Sequence, residues 1–239
     1  MDSAAQLDLY CIHLAHRTDR MEQIQHLRMR YPSLRIHVAD AIRDEEDGHR
    51  GCILSHKQVI AYAKARGLPY VIILEDDCEF LLPEPLLRSA FLTVIDYLNT
   101  HPTVDIVNGC GNLPTLEATV VDSHRQMTFL TSPDIRTTHC MVYSARAYDR
   151  FLAISERIPI DIQTNAFSML FTSPYLATQR PSYSDIEHKD TAYANIDVSR
   201  TFVEKIVEKI VENRPLNQAL YERVNPLSVL RIPIRTNRM

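Results

Sequence analysis

The sequence predicts an open α/β sheet flanked by helices, followed by a helical extension at the C-terminus. Three features carry that expectation. Tyr70 to Leu74 is a short, uninterrupted apolar run, the pattern of a strand buried on both faces. Strand-like and helix-like stretches alternate through roughly the first 110 residues. Val203, Ile206, Val207, Ile210 and Val211 then recur at helical spacing beyond the alternating part.

Taken in order, Asp8 to Leu14 reads as a first strand and Arg17 to Arg30 as a helix, with Met21, Ile24 and Leu27 on one face. Arg35 to Ala39 alternates as a second strand, and an acidic loop, Asp44 to Gly48, follows. A helix is expected from Ile53 to Arg66, closed by Gly67 and Pro69. After the buried strand come a helix over Pro85 to Asn99 and a strand over Val104 to Asn108. Thr119–Asp122 and Gln126–Thr131 read as a hairpin around Ser123-His124-Arg125. His139 to Ser144 reads as a strand, Ala145 to Ser155 as a helix, and Asp161 to Phe171 as a further apolar helix. Tyr175-Leu176-Ala177 is a brief strand before the polar stretch from Gln179 to Asn195.

Composition bounds the function classes. Of 239 residues, 45% are hydrophobic and 23% charged, enough apolar material for a substantial core. A net charge of −4 argues against non-specific binding to nucleic acid, although Arg231, Arg235 and Arg238 make a small basic tail that reads as solvated. No signal peptide is evident at the N-terminus, and no apolar run approaches the ~20 residues of a membrane-spanning helix. Cys11, Cys52, Cys78, Cys110 and Cys140 are odd in number and lack C-x-x-C pairs, so reduced thiols in a cytoplasmic protein are expected.

The chemistry concentrates where the buried strand ends in Glu75-Asp76-Asp77. Three carboxylates beside a core are costly unless something neutralises them. Ligands gather at the carboxyl ends of strands in open α/β sheets, and oxygen-rich sites select Mg²⁺ or Mn²⁺. Strand alternation would turn Glu75 and Asp77 to one ligand and Asp76 away. A solvated loop start is the plainer account of the same three residues.

Gly51-Cys52-Ile53-Leu54-Ser55-His56, then about twenty residues, then Val71 to Phe80 with its Leu74-Glu75-Asp76-Asp77, resembles the core of the family 25 glycosyltransferases. That family includes lipooligosaccharide and collagen galactosyltransferases. Ile12 to Arg20 is similar to the family's opening segment, though His13 stands where Asn is usual, and His49-Arg50 precede Gly51 where Glu-x is usual. Met141-Val142-Tyr143-Ser144, Pro159-Ile160-Asp161 and Gln179 with Ser184-Asp185-Ile186 resemble later family segments. Residues 197–239 match no segment of the family.

The resemblance implies a GT-A-like nucleotide-binding mixed sheet over residues 1–196, with a nucleotide-sugar half to about 110, an acceptor half from about 111, and a helical extension over 197–239. It implies an inverting transfer of a hexose, galactose or glucose, from a UDP-sugar to a hydroxyl acceptor, with Mn²⁺ or Mg²⁺. Asp77 is then the leading metal ligand, Glu75 contacts metal or ribose, and His188 is a candidate third ligand. Ser55 and His56, placed near a helix start, suit the diphosphate or the sugar, with Lys57 as a further cation. His13, Arg17, Arg20, Asp40 and Asp76 are candidate nucleotide contacts. Asp161 is the candidate base, a position that equally suits an N-cap, with Asp185 and Glu187 in reserve.

Two other readings share these residues. A metal-dependent phosphodiesterase or nuclease needs further ligands, which Asp105, Asp161 and His139 could supply. A catalytically inactive binding module would use the Val203–Val211 face as a partner surface, and a homo-oligomer through the 200–213 helix is the related expectation.

Overall fold

The computed structural model describes residues 6 to 212 apart from Glu187, with the side chains of residues 211 and 212 outside the description. Two strand–helix units lead to the buried strand: β1 (Leu7–His13), α1 (Thr18–Arg30), β2 (Leu34–Asp40), α2 (Gly48–Ala65) and β3 (Tyr70–Glu75). A two-residue turn leads to β4 (Cys78–Phe80), then α3 (Glu84–Thr100) and β5 (Ile106–Asn108). The hairpin β6 (Thr119–His124) and β7 (Met127–Thr131) precedes β8 (Cys140–Ser144). A 3₁₀ turn runs into α4 (Tyr148–Leu152), followed by α5 (Ile160–Thr164), β9 (Met169–Ser173), β10 (Ala177–Gln179), β11 (Ser182–Ser184), β12 (Lys189–Thr191) and α6 (Ala194–Glu212).

Eight strands form one mixed sheet in the order β2-β1-β3-β8-β5-β9-β7-β6. β1 runs parallel to β2 and β3, and β5 parallel to β9, whereas β3 and β5 run antiparallel to β8. The architecture is therefore the expected mixed α/β sheet flanked by helices. β3 is buried on both faces, as its unbroken apolar run requires. Ile72 and Leu74 pack with Ile24 and Leu27 of α1 and Phe91 and Val94 of α3. Val71 and Ile73 pack with Ile53, Val59 and Ile60 of α2. At about 1.5–3 kcal/mol for each aliphatic side chain removed from water, these four hold the strand in place and bring its acidic end to the edge of the core.

Several elements differ from the sequence-based expectation. α2 begins at Gly48, not Ile53, because the Asp47 carboxylate accepts from the His49 and Arg50 amides at 3.0 and 3.3 Å and caps the helix. The helix expected over Asp161 to Phe171 stops at Thr164; Met169–Ser173 is a wholly buried strand between β5 and β7. A short apolar run suits a buried helix or strand equally, and here the neighbouring strands decide. The helix expected over Ala145–Ser155 shrinks to the 3₁₀ turn and α4, and the strand expected at Tyr175 moves to Ala177–Gln179, where it pairs with β4. α6 starts at Ala194, so the expected boundary after residue 196 falls inside a helix. Its first half belongs to the domain: Ile196 and Val203 are buried with α2, and the Leu113 amide donates to Ser199 Oγ at 2.9 Å. Val207, from the predicted apolar face, packs on the chain's own core. The remaining expectations for Arg231, Arg235 and Arg238 and for the end of the extension lie outside the described residues.

Gly51 and Ser55 fasten the loop after β2 to α2. A Cβ on Gly51 would stand 2.7 Å from the Ile42 carbonyl oxygen. Ser55 Oγ accepts from the Ile42 amide at 2.8 Å and donates to the Gly51 carbonyl at 2.7 Å. Gly51→Ala should gain about 1 kcal/mol of helix propensity but lose about 1–3 kcal/mol to the forced shift of that loop. A net loss of stability is expected, read as a lower urea midpoint with an unchanged slope.

Candidate active site

Because β1, β2 and β3 are parallel, their carboxyl ends meet on one side of the sheet, where open α/β folds bind ligands. A cavity of about 460 Å³ opens there, within the usual size range of ligand sites. Its walls are the loop after β1 (Leu14, His16), the loop after β2 (Ala41 to Glu45), one face of α2, the acidic turn, Gln179, and the β11–β12 hairpin with its connection to Tyr193.

The three carboxylates have different partners. Asp76 is neutralised: Arg20 Nη1 reaches Oδ1 at 2.5 Å and His13 Nδ1 stands 2.8 Å from Oδ2. It does not point away from the cavity as strand alternation predicted, because β3 ends at Glu75 and Asp76-Asp77 form a turn. Glu75 takes a 2.6 Å hydrogen bond from Thr138 Oγ1 and lies 3.3 Å from His56 Nε2. Burial alone would raise its pKa, but His56 and Thr138 prevail and hold it down at about 2.

Asp77 is the carboxylate left short. It is 4% exposed, its Oδ1 has no hydrogen-bond partner, and its Oδ2 meets only a 3.5 Å contact from Gln179 Nε2 and Arg20 Nη1 at 3.4 Å. Burial and then the Glu75 charge push its pKa up to about 7, against the opposing pull of Arg20 and Gln179. Gln179 Oε1 is also buried without a partner. Asp77 and Gln179 both line the cavity, and oxygens short of partners are the type of donor that a hard divalent cation takes.

The cavity gathers Arg20, Ser55, His56, Glu75, Asp76, Asp77 and His188 from the sequence-based candidates. The others are placed differently. His13 is buried behind Asp76. Arg17 is committed to Asp19, to Asp185 at 2.5 Å and to the Tyr183 carbonyl at 2.8 Å, so it anchors the hairpin. Asp40 is exposed at the end of β2 and does not line the cavity, which is walled instead by the residues after it. Ser55 is not near a helix start: the Asp47 cap puts it more than two turns in, and its hydroxyl is used by the loop. Lys57 donates to the Ile154 carbonyl at 2.8 Å.

The cap of α5 is Pro159, so the N-cap role expected of Asp161 is not formed, and Asp161 does not line the cavity. α5 packs against α2 and leads into β9, two strands beyond β8 in the sheet. Of the reserve bases, Asp185 lines the cavity and Glu187 is outside the described residues. Burial pushes the Asp185 pKa up, but hydrogen bonds from Arg17 and His16 prevail and hold it below its ordinary value. The extra ligands of a phosphodiesterase do not converge: Asp105 bonds the Ser168 amide, and His139 is buried 2.6 Å from Cys110 Sγ. Sequence reasoning assigned no role to Thr138, Cys52 or Arg43. Only the antiparallel pairing of β10 with β4, which sets Gln179 opposite Cys78, reveals how Gln179 meets Asp77.

No protein-family model matches the chain. No curated protein matches it at a significant level. Among solved structures it is similar to a glycosyltransferase involved in the glycosylation of the major capsid of PBCV-1, at 12% identity and TM-score 0.41, over 66% of this chain and 74% of that one. It is also similar to mannose-1-phosphate geranyltransferase from Thermus thermophilus, at 11% identity and TM-score 0.36, over 70% and 73% of the two chains. Mouse xyloside xylosyltransferase 1 in its apo form matches at 12% identity and TM-score 0.32, over 67% and 63%. Likenesses this distant carry no weight for what this chain does. Its own geometry has to do that.

The Asp77 environment predicts a pH signature in the metal-free protein. Its folded pKa is raised to about 7, so its stabilising protonation is complete below the unfolded value of 3.8 and is lost as pH rises through 7. Between those limits wild type should lose stability relative to Asp77→Asn, whose amide does not titrate. Denaturant midpoints of the two proteins across that window measure the difference.

Proposed function

We propose that the chain is an inverting, metal-dependent glycosyltransferase that moves a hexose from a UDP-sugar to a hydroxyl acceptor. One observation carries the reading. A buried carboxylate oxygen of Asp77 and the amide oxygen of Gln179 stand without partners at the wall of a nucleotide-sized cavity, at the carboxyl ends of three parallel strands. The sequence resemblance supports the same reading through Gly51-Cys52-x-x-Ser55-His56 and Leu74-Glu75-Asp76-Asp77.

In this reading Asp77 and Gln179 hold Mn²⁺ or Mg²⁺, with His188 on the hairpin as a third protein donor. The cation supplies charge neutralisation for a departing nucleoside diphosphate. Arg20 keeps Asp76 neutralised, so that Asp77 alone of the turn residues is free to bind. Thr138 and His56 keep Glu75 ionised beside it, and that charge favours a cation at Asp77. The loop after β2, pinned by Ser55, forms the nucleotide wall and carries Arg43, whose contact with Glu45 is a loose 3.5 Å. The hairpin closes the opposite side through Arg17, Arg20 and His16. Galactose and glucose are the sugars the resemblance favours.

A ligand that binds only the folded state stabilises it by about 2.7 kcal/mol at a hundredfold excess over Kd. A UDP-sugar should therefore raise the melting temperature in the presence of Mn²⁺, and the shift should vanish in Asp77→Ala and shrink in His188→Ala. Absence of any nucleotide shift in folded wild type would sink the donor site. Release of UDP only when a sugar donor is supplied separates transfer from phosphodiester hydrolysis. Asp161→Asn is expected to turn over close to wild type, since Asp161 does not line the cavity; a severe loss in folded protein would restore it as the base.

A further inference from the structure

Cys52 and His56 are four residues apart on α2 and so share one face of the helix. That face meets the end of β3. The Cys52 sulfur, a His56 ring nitrogen and a Glu75 carboxylate oxygen all lie within 4.8 Å of one another, and all three residues line the cavity. Donors around a tetrahedral zinc ion, bonded at about 2.0–2.3 Å, stand roughly 3.3–3.8 Å apart. The set therefore needs only about 1 Å of contraction to close on an ion.

Other features favour occupation over simple packing. Cys52 forms no disulfide, and His56, fully buried between Tyr143 and Phe151, turns its Nε2 toward Glu75 at 3.3 Å. Thr138 orients the Glu75 carboxylate at 2.6 Å, as a group supporting a ligand would. A packed helix face explains the His56–Glu75 contact and brings Cys52 to the same side, but it does not require all three donors to stand within 4.8 Å of one another at a cavity wall.

We propose that Cys52, His56 and Glu75 form a three-donor site for a borderline-soft divalent cation such as Zn²⁺, with its fourth position open to the cavity. Sulfur and imidazole select against Mg²⁺ and Mn²⁺, so this site is distinct in its chemistry from the oxygen pair of Asp77 and Gln179. The open position takes a water or an oxygen atom of a bound ligand. The site stands on its own donors and does not depend on the identity of the sugar donor.

Titrating Co²⁺ into the metal-free full-length protein tests it. Wild type should bind one equivalent with a near-ultraviolet sulfur-to-cobalt charge-transfer band and the strong visible bands of four-coordinate cobalt, both bleached by Zn²⁺. Cys52→Ser should abolish the charge-transfer band, and His56→Ala should weaken binding beyond the ~10–100-fold typical of losing an outer partner. Asp77→Ala should keep the band, which separates this site from the transferase metal. Zinc-edge X-ray absorption on wild type needs no variant: one sulfur at about 2.3 Å supports the site, and a shell of oxygen and nitrogen alone overturns it. A charge-transfer band that survives in folded Cys52→Ser also overturns it. Loss of the UDP-sugar shift with the band intact would count against the transferase reading alone.

Discussion

Charge compensation at the end of β3 is the constraint around which this structure is arranged. Burying Val71 to Leu74 on both faces forces Glu75, Asp76 and Asp77 to the margin of the core, where an unpaired charge costs several kcal/mol. The chain meets that demand from three directions: Arg20 and His13 from the β1–α1 segment, His56 from α2, and Thr138 from the segment before β8. Removing one partner of such a buried pair typically costs about 3–5 kcal/mol, so these contacts fix how the elements meet as well as how the site is charged. The compensation is incomplete at Asp77. That shortfall is what makes the site chemically interesting.

The same contacts build the cavity. Arg20 spans from Asp76 to Ser182 and the Tyr183 carbonyl, while Arg17 and His16 hold Asp185. Arg17 and Arg20, which look like free nucleotide contacts in the sequence, thus tie the β11–β12 hairpin across the strand ends. On the opposite wall, Gly51 and Ser55 act as a pair: one permits the close approach of the loop after β2, and the other hydrogen-bonds it there. Much of the Gly-Cys-x-x-Ser-His motif thus has a local structural role, and Cys52 and His56 remain to face the cavity.

Two kinds of donor line the same cavity. Asp77 and Gln179 offer oxygen only, whereas Cys52 and His56 offer sulfur and nitrogen beside Glu75. Glu75 and Asp77 also influence each other: the ionised Glu75 is a principal reason, after burial, that Asp77 favours its proton in the metal-free protein. A cation bound beside Glu75 would offset the charge that favours the Asp77 proton, and its binding would then be coupled to proton release at Asp77.

Short-range features were legible in the amino-acid order. The double-sided burial of β3, the β6–β7 hairpin and the α3 helix follow from runs and periods within a few residues, and the acidic end of β3 marked the site. What depends on partners distant in sequence was settled only by folding. Met169–Ser173 became a strand because β5 and β7 were there to pair with it; Gln179 reached Asp77 because β10 lies against β4; and Asp161 was left off the cavity lining, on a helix packed against α2. Ser55 lost its expected place at a helix start to the Asp47 cap, a contact only two and three residues long whose acceptor could not be told from its acidic neighbours. Periodicity records which faces of an element are apolar. Which carboxylate goes uncompensated depends on cations and amides from 19 to more than 100 residues away, and only the tertiary fold brings those together.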